Sequence, residues 1–245
     1  MRPRFIAAAA VVALCAIVLA ALLLRPDPPP PGPSAALSTR GPVLLIPGYG
    51  GGTQGLQVTA GVLRAAGFQA EVVSVGDGTG DLAVYAQQVV ARAQQLVSAG
   101  APSVDVIGFS AGGVIARDAA TSATGRPLIR KVVTVGSPHQ GTKLAALGGL
   151  FGSCPVACGQ LAPRSDYLEQ LPSANDPDRW LSIWSTTDEV IRPVSSSELK
   201  GARPFPVQEV CDRPVAHNDL LINPLLQNTA IAYLNGTALP TTCVN

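Results

Sequence analysis

Short unbroken apolar runs alternate along the chain with longer stretches whose apolar residues recur at helical spacing. Val43-Leu44-Leu45-Ile46 is the first such run after a Pro-rich stretch. Continuous apolarity over four residues is the pattern of a strand buried on both faces. A glycine-rich loop, Gly48 to Gly55, follows, and then a helix over 56–66 that Gly67 ends. Ala70–Val75 reads as a second strand. Asp81 opens a long Ala/Gln/Val helix that stops at Gly100. Val104–Ile107 is a third strand, followed by a helix from just after Ser110 to about Ser122. Arg130–Val135, Trp180–Trp184 and Phe205–Val210 complete six strands, and a helix over 220–234 closes the chain. Strands alternating with helices imply right-handed crossovers, hence an α/β fold with a mostly parallel sheet of about six strands and helices on both faces.

Two segments depart from this rhythm. Arg2 and Arg4 precede an unbroken apolar stretch from Phe5 to Leu24, closed by Arg25. Twenty apolar residues suffice to cross a bilayer core, and Leu22-Leu23-Leu24-Arg25 is a poor cleavage site. Residues 1–25 are therefore expected to be an uncleaved signal anchor, with a cleaved signal peptide as the alternative. Either way the rest of the chain is exported. Cys15 reads as a lipid-facing apolar residue. Residues 26–40 form a Pro-rich linker that favours extended conformations and builds no core. Residues 41–245, about 205, suffice for one catalytic domain. The second departure is 142–178, rich in Gly, Pro and small residues. It is too long for an ordinary connection. It reads as a disulfide-stapled insertion that caps or walls a cleft, or as a surface excursion.

Charge narrows the partners. The chain carries net charge +1 with 13% charged residues and has no basic block, so nucleic acid is not an expected partner. A monomer is expected. Outside the apolar N-terminus there are four cysteines, Cys154, Cys158, Cys211 and Cys243. An even count in an exported domain implies disulfides. Of the three connectivities, Cys154–Cys158 with Cys211–Cys243 is expected, because the first pair is close in sequence and the second staples the tail. Half a zinc site at the first pair is the competing idea, weakened by the lack of a nearby His.

The chemistry begins at Gly108-Phe109-Ser110-Ala111-Gly112-Gly113. Gly-x-Ser-x-Gly leaving a buried strand for a helix presents the Ser on a sharp turn, at the positive end of the helix. With 25 glycines in 245 residues the pattern arises by chance in roughly one such chain in six. The rest of a site must therefore follow it. A nucleophilic Ser needs a base, and the base a carboxylate to hold its tautomer. Asp188 lies beyond the strand Trp180–Trp184 and His217 beyond Phe205–Val210, which places Ser, Asp and His in that order at strand ends. Glu189 is an alternative acid. His139, in Gly136-Ser137-Pro138-His139-Gln140-Gly141-Thr142, precedes the acid and is expected to have a structural role. The backbone N–H groups of Ala111 and of Tyr49, in the glycine-rich loop, are the expected oxyanion donors. The loop is not a dinucleotide fingerprint, because its Gly spacing is wrong.

Leu44-Leu45-Ile46-Pro47-Gly48-Tyr49-Gly50-Gly51, the Ser110 motif, Gly136–Thr142, Ser185-Thr186-Thr187-Asp188 and His217 together resemble the small bacterial lipases of the α/β-hydrolase superfamily, over residues 41 to about 235. Pro47, where many relatives carry His, and the Cys-stapled insertion depart from that pattern. The resemblance implies a serine carboxylic-ester hydrolase, a lipase or esterase, acting on lipid or other apolar esters. Its expected residues are Ser110 as nucleophile, His217 as base, Asp188 as orienting acid, and Tyr49 and Ala111 as oxyanion donors; no metal or cofactor is required. Two alternatives remain: acyl transfer or thioester hydrolysis in the cell envelope by the same triad, and a non-catalytic binding module on the same scaffold. The expected place is the cell envelope, tethered to the membrane if the anchor stays uncleaved, or secreted.

Overall fold

The computed structural model of the protein describes residues 35–145 and 154–243. The apolar stretch Phe5–Leu24, Cys15, the linker up to 34 and residues 146–153 of the insertion lie outside the described residues. Among the described residues no helix is long and apolar enough to cross a membrane.

Six parallel strands stand in the order β2-β1-β3-β4-β5-β6. They are β1 Val43–Ile46, β2 Ala70–Val72, β3 Val104–Phe109, β4 Ile129–Val135, β5 Trp180–Trp184 and β6 Arg203–Pro206. The main helices are α1 Gln54–Ala65, α2 Leu82–Ser98 and α3 Ala111–Thr121; α4 Val156–Gln160 and α5 Asp166–Gln170 lie in the insertion, and α6 Pro224–Asn235 closes the chain. Alternate residues of a strand point to opposite faces, and β1 shows why its run is apolar throughout. Leu44 and Ile46 pack into the core under α2 and α3, while Val43 and Leu45 pack into the core under α1 and α6. Parts of the insertion, Ala157, Leu161 and Leu168, join the first of these cores.

Three elements differ from the sequence reading by three residues or more at one end, each for a backbone reason. β2 stops at Val72, and the chain then turns through Gly76 and Gly78, both at positive φ. The sixth strand spans 203–206 rather than 205–210, with a 3-10 turn over Val207–Glu209. Pro204 and Pro206 lack an N–H, which only a sheet edge tolerates, and β6 pairs with β5 alone. The last helix begins at Pro224, not 220. Asn223 caps it by accepting the Leu225 N–H, while His217–Leu221 forms a separate 3-10 turn.

At the opposite end of the sheet from the strand termini that matter below, the buried Asp105 carboxylate accepts from the Arg130 guanidinium and from Lys131 N–H. Arg130 and Lys131 also donate to the Leu234 and Tyr233 carbonyls, which satisfies the last turn of α6.

Both expected disulfides are present, Cys154–Cys158 and Cys211–Cys243, with sequence separations of 4 and 32. Such bridges persist in oxidising compartments. The chain-entropy relation assigns about 3.7 kcal/mol to the longer loop and about 1.9 to the shorter. We expect Cys211→Ser/Cys243→Ser to lower the free energy of unfolding by about twice as much as Cys154→Ser/Cys158→Ser. Urea denaturation of the two variants measures this, and equal losses would contradict it.

Candidate active site

The strand order reverses between β1 and β3, and a crevice opens at the carboxyl ends of strands on either side of such a point. Ser110 stands there. It joins β3 to α3 with φ 53° and ψ −125°, a region that side chains rarely occupy. Its N–H is held by the Val135 carbonyl at 2.8 Å. The glycines around it have no room for a side chain. A Cβ on Gly108 would lie 2.3 Å from the Gly112 carbonyl oxygen, and one on Gly112 would lie 2.3 Å from the Ile46 carbonyl oxygen and 2.5 Å from that of Pro47. A Cβ on Gly48 would lie 2.9 Å from Ser110 Cβ. The turn, the start of α3 and the loop after β1 therefore touch backbone to backbone. Ala111 is the first residue of α3, so its N–H has no partner within the helix. Among the described residues neither Ala111 N–H nor Tyr49 N–H donates to another backbone group.

Asp188 and His217 meet beside this turn. Asp188 Oδ2 lies 2.7 Å from His217 Nδ1, and its Oδ1 accepts the Val190 and Ile191 N–H groups, both at 2.8 Å. Burial works to raise the Asp188 pKa, but the imidazole and the two backbone donors outweigh it and hold the carboxyl below its usual range. Glu189, the alternative acid, accepts the backbone N–H of His217 instead of its ring. The imidazole packs against Phe109 at a centroid distance of 4.9 Å, the two rings tilted by 36°. It also closes over Gly136, where a Cβ would lie 3.3 Å from the ring. The loop that carries it is pinned to α1, where the Thr59 hydroxyl donates to the Leu221 carbonyl. Ser110 and His217 line one cleft of about 710 Å³ with Gly48, Tyr49, Val190 and Ile222. No hydrogen bond joins the Ser110 hydroxyl to the imidazole in this structure.

The structure thus brings all five expected residues, Ser110, Asp188, His217, Tyr49 and Ala111, to one end of the sheet. It sets His139 apart. His139 is buried, its Nε2 lies 3.1 Å from the Thr134 hydroxyl, and burial, aided by the nearby Arg117 charge, pushes its pKa down to about 3. Arg117 in turn donates to the carbonyls of His139, Leu171 and Pro172 and so ties the insertion to α3. Several supports have no sequence signal of their own. The Thr187 hydroxyl lies 3.0 Å from Val215 N, and Gln208 bridges Thr186 N–H, the Ser185 hydroxyl and the Arg213 carbonyl. These bonds lace the acid loop to the histidine loop. Phe109 and Glu189 were adjacent to motif residues, but nothing in sequence showed that they contact His217. The insertion does wall the site: Thr142, Leu144, Ala145, Cys158 and Leu161 line a second cavity that also reaches Ser110. Among the described residues no cluster of His, Cys, Asp or Glu is placed to hold a metal ion.

A family model described as palmitoyl protein thioesterase matches residues 42–172. No curated protein matches the chain. Among solved structures, Aspergillus fumigatus lipase B is similar over 87% of this chain and 56% of its own, at 21% identity and a TM-score of 0.70. The propeptide form of Bacillus licheniformis lipase BlEst2 is similar over 89% and 54%, at 15% identity and a TM-score of 0.64. A gene product of Listeria innocua is similar over 84% and 98%, at 17% identity and a TM-score of 0.57. The chain spans little more than half the length of the first two. These likenesses show the α/β-hydrolase fold expected from the motifs.

Two expected outcomes follow from the geometry. Gly112→Ala must push apart β1 and α3, so it should destabilise the domain by on the order of 3 kcal/mol, read as a lowered melting temperature; an unchanged one would refute the close contact. Asp188 is stabilised in its charged form, so its contribution to stability is full above the unfolded carboxyl value near ~3.9 and is lost as pH falls through its lower folded value. The stability gap between wild type and Asp188→Asn should therefore shrink between about pH 5 and about pH 2. Urea titrations at several pH values test this, and a gap that stayed constant would contradict it.

Proposed function

The chain belongs to the palmitoyl protein thioesterase family, a family of hydrolases, and we propose that it is a serine hydrolase of carboxylic esters working through an acyl-enzyme. The observation that carries this reading is the placement of Ser110, at positive φ on its strand-to-helix turn, in the same cleft as an imidazole gripped by Asp188.

Ser110 Oγ attacks the ester carbonyl while His217 Nε2 takes its proton. Asp188 keeps the other ring nitrogen protonated, so that Nε2 is the basic one, and it stabilises the imidazolium that forms. The tetrahedral oxyanion is met by the N–H groups of Tyr49 and Ala111. Collapse breaks the bond to the leaving group, which receives the proton from His217. Water, activated by the same imidazole, then attacks the acyl-enzyme and frees the carboxylic acid and Ser110. Thioester hydrolysis is the second reading, favoured by the family match; it uses the same steps with a thiol as the leaving group. The two disulfides and the apolar segment before the domain support export, tethered to the membrane or released.

Ser110→Ala, His217→Ala and Asp188→Ala should each lower turnover of p-nitrophenyl butyrate by several orders of magnitude, without adding when combined. His139→Ala should lose far less. A fluorophosphonate should label wild type at Ser110. An active His217→Ala beside an inactive His139→Ala would reverse the assignment, and peptidase activity without esterase activity would end it.

A further inference from the structure

His217 opens a 3-10 turn of 5 residues, His217–Leu221. So short a turn makes few hydrogen bonds of its own, and its first N–H and last carbonyl have no partner inside it. Its position is set by its neighbours. Leu220 and Leu221 anchor it in the core under α1 and α6, and side chains bond both of its ends. At the first end the His217 N–H donates to the Glu189 carboxylate, whose oxygens lie at 3.1 and 3.3 Å. At the last end the Leu221 carbonyl accepts the Thr59 hydroxyl at 2.6 Å and the Gln227 side-chain amide at 3.0 Å. Thr59 of α1 and Gln227 of α6 are both buried. The packing there is close: a Cβ on Gly55 of α1 would lie 3.0 Å from Leu221 Cδ1.

These bonds bear on the ring. Asp188 and Glu189 are consecutive, and they hold one residue at two points. Asp188 Oδ2 meets the ring at Nδ1, and Glu189 takes the backbone N–H. Fixing both points to the loop after β5 leaves the imidazole little freedom to swing. Thr59 and Gln227 fix the far end of the same turn to the two helices beneath it. Contacts between a base and its nucleophile tighten once substrate is bound, and a misplacement of about 1 Å costs on the order of a hundredfold in rate. None of the three side chains lines the cleft at Ser110, so they reach the chemistry through the histidine.

Resting on the reading of His217 as the base, we infer that Glu189, Thr59 and Gln227 are positioning residues that clamp the histidine turn at its two ends and so set the reach of the imidazole to Ser110.

The experiment is kcat and KM for p-nitrophenyl butyrate, with kcat counted per Ser110 that a fluorophosphonate labels at completion, so that loss of folded protein does not enter. Glu189→Ala should lower kcat about tenfold to a hundredfold and leave KM within about twofold. Glu189→Gln keeps an acceptor oxygen and should recover most of that loss. Thr59→Val keeps the shape of the side chain without its hydroxyl and should lower kcat about tenfold; Thr59→Ser should recover it. In a His217→Ala background, neither Glu189→Ala nor Thr59→Val should lower the residual rate further, because losses that act through one group do not add. Variants that keep the wild-type kcat, a Glu189→Gln as slow as Glu189→Ala, or losses that persist without His217 overturn this inference alone. A wild type that neither hydrolyses the ester nor takes the label overturns the hydrolase reading and this inference with it.

Discussion

Three stretches of backbone meet at van der Waals distance around Ser110, and everything at the site depends on that contact. Gly112 lies against the carbonyls of Ile46 and Pro47, Gly108 against Gly112, and Gly48 against Ser110 itself. A methyl group at any of the three would force the strand, the helix and the loop apart. With the contact made, Ser110 stands on a positive-φ turn and lines the cleft together with Tyr49. The backbone strain at Ser110 is held by the paired strands on both sides of β3.

The two histidines show how surroundings divide one residue type between two tasks. Both are buried at the carboxyl ends of strands, one after β4 and one after β6. His217 has a carboxylate on Nδ1 and an aromatic face beneath it, and its Nε2 side opens to the cleft. His139 has a hydroxyl on Nε2, no partner for Nδ1 among the described residues, and a cation nearby. Burial without a carboxylate disfavours the charged form, so His139 stays neutral and serves to shape the turn beneath the insertion. Asp188, with three donors and full burial, is suited to hold a ring in one tautomer through a proton transfer.

The insertion is integrated into the hydrolase core, since Ala157, Leu161 and Leu168 pack against α2 and α3 and Arg117 grips its carbonyls from below. This integration brings Leu144, Ala145 and Leu161 to one side of Ser110, while the histidine loop supplies His217, Asn218, Leu221 and Ile222 on the other. The site is therefore built by segments from different parts of the chain.

Much of this was legible in the residues alone. Strand number, parallel order and the motif at Ser110 follow from apolar runs and glycine spacing, because these patterns respond to local constraints: a doubly covered strand must be apolar throughout, and a crowded turn must lack side chains. The order Ser110, Asp188, His217 and the pairing of the four cysteines could be argued from chain position. The boundary of α6 was written locally in Asn223-Pro224, a cap followed by a first-turn proline. That of β6 was not legible, because Pro204 and Pro206 are tolerated only where a strand has one neighbour, which the folded sheet decides. Nor was the partition of roles between Asp188 and Glu189, which differ by one position; the turn after β5 aims one at the imidazole ring and the other at its backbone. The contacts of Phe109, Gly136, Thr187 and Gln208 with the histidine and acid loops join residues far apart in sequence. The sequence by itself determined the fold and the chemical groups present. The tertiary structure alone decided which groups touch, since contact across a sheet depends on register and packing that no local pattern encodes.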